Sequence, residues 1–158
     1  MGLGRLEYNM LLIVYHSQSG NTEKLAEAVE RGALKVRGVA VRRIRAAQVT
    51  GEELKQSRCL VICSPEYFVY MACAIKDLFD RTYEEVREEM TGRSYALIIS
   101  AGNDGTGALN SIERIIKGLK LRRVQEPIIS RGAVSDSMVE TCVNLGQTLA
   151  AGLELGIY

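Results

Sequence analysis

Tryptophan is missing from this chain, proline occurs twice and histidine once, and neither sign of charge dominates: 20 Lys/Arg stand against 19 Asp/Glu, a net charge of +1. The interspersed charges lack the basic footprint of a dedicated nucleic-acid binder. They also lack the acidic excess of a carrier that finds basic partners by electrostatic steering. The four cysteines, Cys59, Cys63, Cys73 and Cys142, contain no Cys-x-x-Cys, and with His16 as the only histidine a zinc site has no plausible ligand set. Buried, reduced thiols are the expectation, which fits a reducing compartment and a cytoplasmic protein. Met1 to Asn9 has no apolar core of signal-peptide length, and the run Met10 to Tyr15 is far short of the roughly 20 apolar residues that span a bilayer. No membrane association is expected.

What is present is the composition of an ordinary globule: 47% hydrophobic and 25% charged residues over 158 positions. That length fits one domain spanning residues 1–158, large enough to bury on the order of 70% of its unfolded surface without disulfides or metals. Short apolar runs alternate with amphipathic segments, the pattern of a parallel sheet covered by helices. Met10–Tyr15 (MLLIVY), Cys59–Cys63, Tyr95–Ser100 and Val124–Ser130 read as strands, and Val39–Ile44, alternating apolar and basic, reads as a half-exposed edge strand. Helical spacing runs over about Thr22–Arg37, from Met71 through Thr82 and on toward Gly92, from Leu109 to Leu119, and from Val139 to Leu153, with a short helix at Gly51–Ser57. Five strands alternating with helices make a doubly wound α/β domain. Such a sheet binds ligands beyond the carboxyl ends of its strands, where strand order reverses.

Three loops lie at those ends. Ser17-Gln18-Ser19-Gly20-Asn21-Thr22 joins the first strand to a helix and offers three hydroxyls, two side-chain amides and helix-terminal N–H groups, an anion cradle without a cation. Gly20 lets the backbone curl close to a phosphate. The absence of a Gly-Lys-Ser/Thr ending speaks against a nucleoside triphosphate with magnesium. A helix capped by Ser19 or Asn21 with nothing bound is the plainer alternative. Ser64-Pro65-Glu66-Tyr67-Phe68 places a rigid turn with aromatics after the third strand, giving a flat wall for a ring. Tyr67 is the better ring contact, whereas Phe68 and Tyr70 read equally well as core or interface residues. Ala101-Gly102-Asn103-Asp104-Gly105 is a glycine-rich turn whose interest lies in its position. His16, at a strand end, reads as a packed or surface residue.

The string Ser17-Gln18-Ser19-Gly20-Asn21-Thr22-Glu23 after an apolar strand resembles the FMN-phosphate loop of the flavodoxin family. Ser64-Pro65-Glu66-Tyr67, followed by Lys76-Asp77-Leu78-Phe79-Asp80-Arg81, resembles the ring-flanking segment of flavodoxin-like oxidoreductases, and Pro65-Glu66-Tyr67 that of NAD(P)H-dependent FMN reductases. The resemblance implies a five-stranded parallel sheet of order 2-1-3-4-5 with helices on both faces. It implies FMN held by Ser17–Thr22, by Ser64–Phe68 and by Ala101–Gly105, with no metal and no catalytic side chain, because the flavin carries the chemistry. Two functions follow from it. One is an oxidoreductase passing electrons from NAD(P)H through FMN to a quinone or similar acceptor; the other is a flavodoxin-type carrier without NAD(P)H-oxidising activity. The missing aromatic in Ala101–Gly107 and the neutral charge favour the first. The partner is a small-molecule acceptor or a redox protein, and a homo-oligomer is left open. A receiver domain would need acidic strand ends where Tyr15-His16-Ser17 and Cys63-Ser64-Pro65 stand, and a low-molecular-weight phosphatase a cysteine and an arginine in the first loop.

Overall fold

A computed structural model describes residues 9–158; the expectation for Met1 to Asn9 therefore falls, but for Asn9 itself, outside the described residues. β1 (Met10–Tyr15), β2 (Ala40–Arg45), β3 (Cys59–Tyr67) and β5 (Ser94–Ala101) form a parallel sheet in the order β2-β1-β3-β5. Two short pieces, β6 (Arg122–Arg123) and β7 (Ile128–Arg131), both pair with β5 in parallel. With β5 as the fourth strand and β6 and β7 together as the fifth, the expected 2-1-3-4-5 order holds.

Every residue of β1 is buried because both faces of the sheet are covered. Leu11, Ile13 and Tyr15 pack with Cys59, Val61 and Cys63 against α1 (Asn21–Ala33) and α5 (Asp136–Glu154). Met10, Leu12 and Val14 pack with Leu60, Ile62, Leu97 and Ile99 against α3 (Cys73–Val86) and α4 (Thr106–Leu119). The period of two thus sends alternate apolar side chains into two separate cores. A short α2 (Gly51–Gln56) starts at Thr50, whose hydroxyl accepts the Glu53 N–H while the Glu53 carboxylate accepts the Thr50 N–H.

The structure corrects several expectations. The second long helix begins at Cys73, not Met71, and ends at Val86, before the EEVREEM charges run out. Met71 instead pairs with Glu66 in a hairpin of β3 with β4 (Tyr70–Met71). The fifth strand is split: Pro127 has no N–H to donate, and after the Val124 N–H donates to the Tyr95 carbonyl, residues 125–127 leave the ladder between β6 and β7. α1 stops at Ala33, four residues short of Arg37. Cys73 is exposed, whereas Cys59, Cys63 and Cys142 are buried as expected. Burial pushes the Cys59 thiol up to about 12 and that of Cys142 to about 11, so both stay protonated. No helix of the described residues is long and apolar enough to cross a membrane.

Candidate functional site

The carboxyl ends of β1, β3, β5 and β7 converge on an open cleft, at the end of the sheet where this winding binds ligands. It is lined by Gln18, Ser19, Asn21 and Thr22 from the first loop, and by Pro65, Glu66 and Tyr67 at the end of β3. Ala101 and Gly102, with Ser100, come from the end of β5, and Gly132 follows β7. Ser100 and Gly132 were not singled out in the sequence. Gly132 reaches the cleft because its N–H donates to the Ala101 carbonyl at 2.8 Å. That contact depends on the β5–β7 register, which no local signal carries.

At the first loop, Ser17 Oγ accepts the Gly20 N–H at 3.1 Å, folding the loop back on itself. Gly20 then turns left-handed at φ 100°, a conformation open to glycine and strained for other residues. No side chain caps α1. The amides of its first turn have no carbonyl one turn earlier within the helix, so they are left to face the cleft mouth. Thr22 is only 2% exposed as a residue and lines the cleft; no polar side-chain atom buried among the described residues lacks a partner, so its hydroxyl, which makes no hydrogen bond there, reaches the cleft surface. A cleft-lining hydroxyl beside open N–H groups at the positive end of a helix fits a phosphate. Ser135 caps α5 by accepting the Met138 N–H, whereas α3 starts without a side-chain cap as α1 does, so the position of α1 at the cleft is what sets its start apart.

The wall opposite is built differently. Phe68 and Val69, at φ 52° and 60°, make a two-residue turn with both central residues left-handed, the geometry of the tightest hairpins but strained for a bulky or β-branched residue. The flanks are bonded closely. Glu66 Oε2 accepts the Ala108 N–H at 3.0 Å, capping α4 from another element. The Met71 N–H donates to Ser111 Oγ at 3.1 Å and the Ala72 N–H to Ser64 Oγ at 3.0 Å, while Ser64 Oγ donates to the Pro65 carbonyl at 2.8 Å. A Cβ on Gly107 would stand 2.2 Å from the Val69 carbonyl oxygen, so the hairpin rests directly on the start of α4.

Of the remaining sequence candidates, Ser17 and Gly20 shape the first loop rather than line the cleft, and Ser64 is a buried strut. Phe68 points into solvent, fully exposed at the hairpin tip. Asn103 and Gly105 lie outside the lining, with Gly105 forming the left-handed entry to α4. Asp104 is outside it too. Its carboxylate accepts from the Thr106 N–H at 2.9 Å and the Thr106 hydroxyl at 2.8 Å, bonds that hold it below the usual carboxylate range. His16 packs edge-on against Tyr67, ring centroids 6.2 Å apart. Burial, and then the Arg45 charge, lower its pKa and favour the neutral imidazole.

Two cations unseen from the loop sequence bear on the site. Arg45 Nη1, at the end of β2, donates to the Ser17 carbonyl at 3.4 Å. Arg81, from the segment expected to flank a ring, reaches instead to the turn after β2, donating to Val49 O at 3.0 Å and Ala46 O at 3.1 Å.

The sequence family described as Flavodoxin matches residues 13–146. The chain is 27% identical over 139 residues to the flavodoxin of Clostridium beijerinckii, a match covering 87% of this chain and 97% of that one. It is 29% identical over 97 residues to the flavodoxin of Aquifex aeolicus (strain VF5), covering 61% of this chain and about half, 52%, of the relative. Among solved structures, a flavodoxin from the domain Archaea superposes with a TM-score of 0.79 at 24% identity, over 92% of this chain and 99% of that one. The Flv1 flavodiiron core from Synechocystis sp. PCC6803 gives 0.80 at 23% identity, over 96% of this chain and 37% of that one. At these identities the two superpositions speak for the fold.

Proposed function

The chain belongs to the flavodoxin family, and from that premise we propose that it is an FMN-binding electron-transfer protein that serves a redox-protein partner. The observation that carries this reading is the first loop: an uncapped helix N-terminus and the Thr22 hydroxyl line the same cleft as Pro65–Tyr67 and Ser100–Gly102. Thr22, Ser19 and Asn21 would hold the phosphate, with the backbone N–H groups supplying the remaining donors. Pro65, Glu66 and Tyr67 on one side and Ser100, Ala101 and Gly102 on the other would flank the ring. Bound FMN would supply the electron-accepting and electron-donating chemistry; the chain supplies position and field.

The carrier reading stands ahead of the NAD(P)H-dependent reductase implied by Pro65-Glu66-Tyr67, because a curated flavodoxin aligns over 97% of its own length. Isothermal titration with FMN and riboflavin, followed by absorbance at 340 nm with NADH or NADPH and a quinone, tests both parts. Expected are FMN preferred to riboflavin and no sustained NAD(P)H oxidation by the FMN-loaded protein. Binding of neither flavin would end the flavin reading. Steady NAD(P)H turnover with the quinone would return the assignment to the oxidoreductase.

A further inference from the structure

The first loop has hydroxyls and amides but no cation, and the residue after it works against an anion. Glu23 lies in the first turn of α1, where its carboxylate suits the helix N-terminus but opposes a phosphate at the same place. Three groups gather on its Oε1. The Tyr15 hydroxyl donates at 3.3 Å, Arg45 Nη2 stands at 3.6 Å and Arg43 Nη1 at 4.0 Å. Both guanidiniums lie over the Tyr15 ring, at 5.0 Å for Arg45 and 5.4 Å for Arg43.

The two arginines are not equivalent. Arg43 also meets Glu30 at 3.3 Å and Glu27 at 3.9 Å, carboxylates farther along α1, so its charge is shared among three partners. Among the described residues Arg45 pairs with Glu23 alone, and it turns its other nitrogen to the carbonyl of Ser17, the first residue of the loop. Its place is fixed from two sides. Arg45 is in register with Tyr15 on the neighbouring strand, and Arg81 holds the carbonyls of Ala46 and Val49 in the turn that follows.

We propose that Arg45 supplies, from β2, the positive charge that the phosphate loop lacks, by neutralising Glu23 and standing against Ser17, and so sets the preference for phosphorylated over unphosphorylated flavin. The inference rests on the FMN-binding reading and goes beyond it by naming a specificity residue outside the loop. Both side chains are partly exposed, so their replacement does not open a core. Removing the Arg45 guanidinium leaves Glu23 with only the Tyr15 hydroxyl and a share of Arg43 to offset its charge beside the phosphate loop; removing the carboxylate leaves the Arg45 charge unneutralised there.

The test is titration of FMN and riboflavin into wild type, R45Q, R45K, E23Q and the R45Q/E23Q double variant, at low salt and at about 0.5 M salt, where the Debye length is only a few ångströms. A surface charge at a helix N-terminus changes affinity by about two- to fivefold. R45Q is expected to weaken FMN by that factor and leave riboflavin unchanged, and E23Q to strengthen FMN similarly. The double variant should return near wild type, R45K should keep most of the FMN affinity, and high salt should compress all the differences. Equal weakening of both flavins in R45Q, no change in either, or an R45K as weak as R45Q overturns the proposal. These outcomes are separable from failure of the underlying reading, which shows in the wild type itself as absent flavin binding or as no preference for FMN.

Discussion

At the Ser17–Thr22 loop the chain leaves donors open: α1 has no side-chain cap, and Thr22 lines the cleft without a side-chain hydrogen bond among the described residues. At the β3–β4 hairpin across the cleft, Ser64, Glu66, Met71 and Ala72 all bond within the chain, and the tip holds two non-glycine residues in a left-handed conformation. The first wall presents its polar groups to the cleft, as the proposed phosphate site requires. The second is shaped in advance, and its strain persists because the flanks over-determine it. Positive φ occurs on both walls for different reasons. Gly20 meets its φ of 100° without a Cβ, whereas Phe68 and Val69 are forced to theirs by their surroundings.

Substituting alanine at one glycine on each wall separates the two designs. In Gly107→Ala the methyl would meet the Val69 carbonyl at 2.2 Å, so the hairpin must lift from α4; an overpacked site of this kind costs roughly 2–3 kcal/mol. Gly20→Ala has nothing within 4 Å and faces only backbone strain, about 1–2 kcal/mol. Urea denaturation of both variants measures the order, and a larger loss at Gly20 would mean that the hairpin is not held against the helix.

Thr22→Val sharpens the contrast from the ligand side. Losing a hydroxyl directed at a dianion should weaken FMN by roughly 1.5–3 kcal/mol while riboflavin affinity stays level. Calorimetry decides it, and parallel losses for the two flavins would show that Thr22 supports the loop rather than the phosphate. The smallest expected effect is at the hairpin tip. Replacing Phe68-Val69 with Asn-Gly suits a turn with two positive φ values, and should stabilise the protein by roughly 1 kcal/mol after allowing for the lost Val69 contact with Gly107. A drop in thermal stability would show that the native pair is held by packing worth more than its strain.

Much of the cleft was legible in the sequence because its first wall is contiguous. Gln18, Ser19, Asn21 and Thr22 all line it, and Pro65, Glu66, Tyr67, Ala101 and Gly102 join them where strand ends were expected. In the hairpin only Met71 reads as the start of a helix, because Met71, Ala74, Ile75 and Leu78 satisfy helical spacing. Met71 is buried while paired with Glu66 instead, and burial alone does not distinguish the two. Phe68 was a ring candidate through its aromatic character, but its direction is set by the backbone turn.

The sequence by itself determined the layered plan and the polar, helix-initiating make-up of the first loop, since two-sided apolar strands, helical periodicity and a run of hydroxyls before a helix are properties of neighbouring residues. Only the tertiary structure decided that Arg45 stands on Ser17, 28 positions away, that Arg81 secures Ala46 across 35, and that Glu66 caps α4 at Ala108 across 42. Each of these contacts depends on the strand register and helix placement that bring separate segments together, and a charge or carboxylate read in its own stretch of chain carries no mark of the partner it will meet.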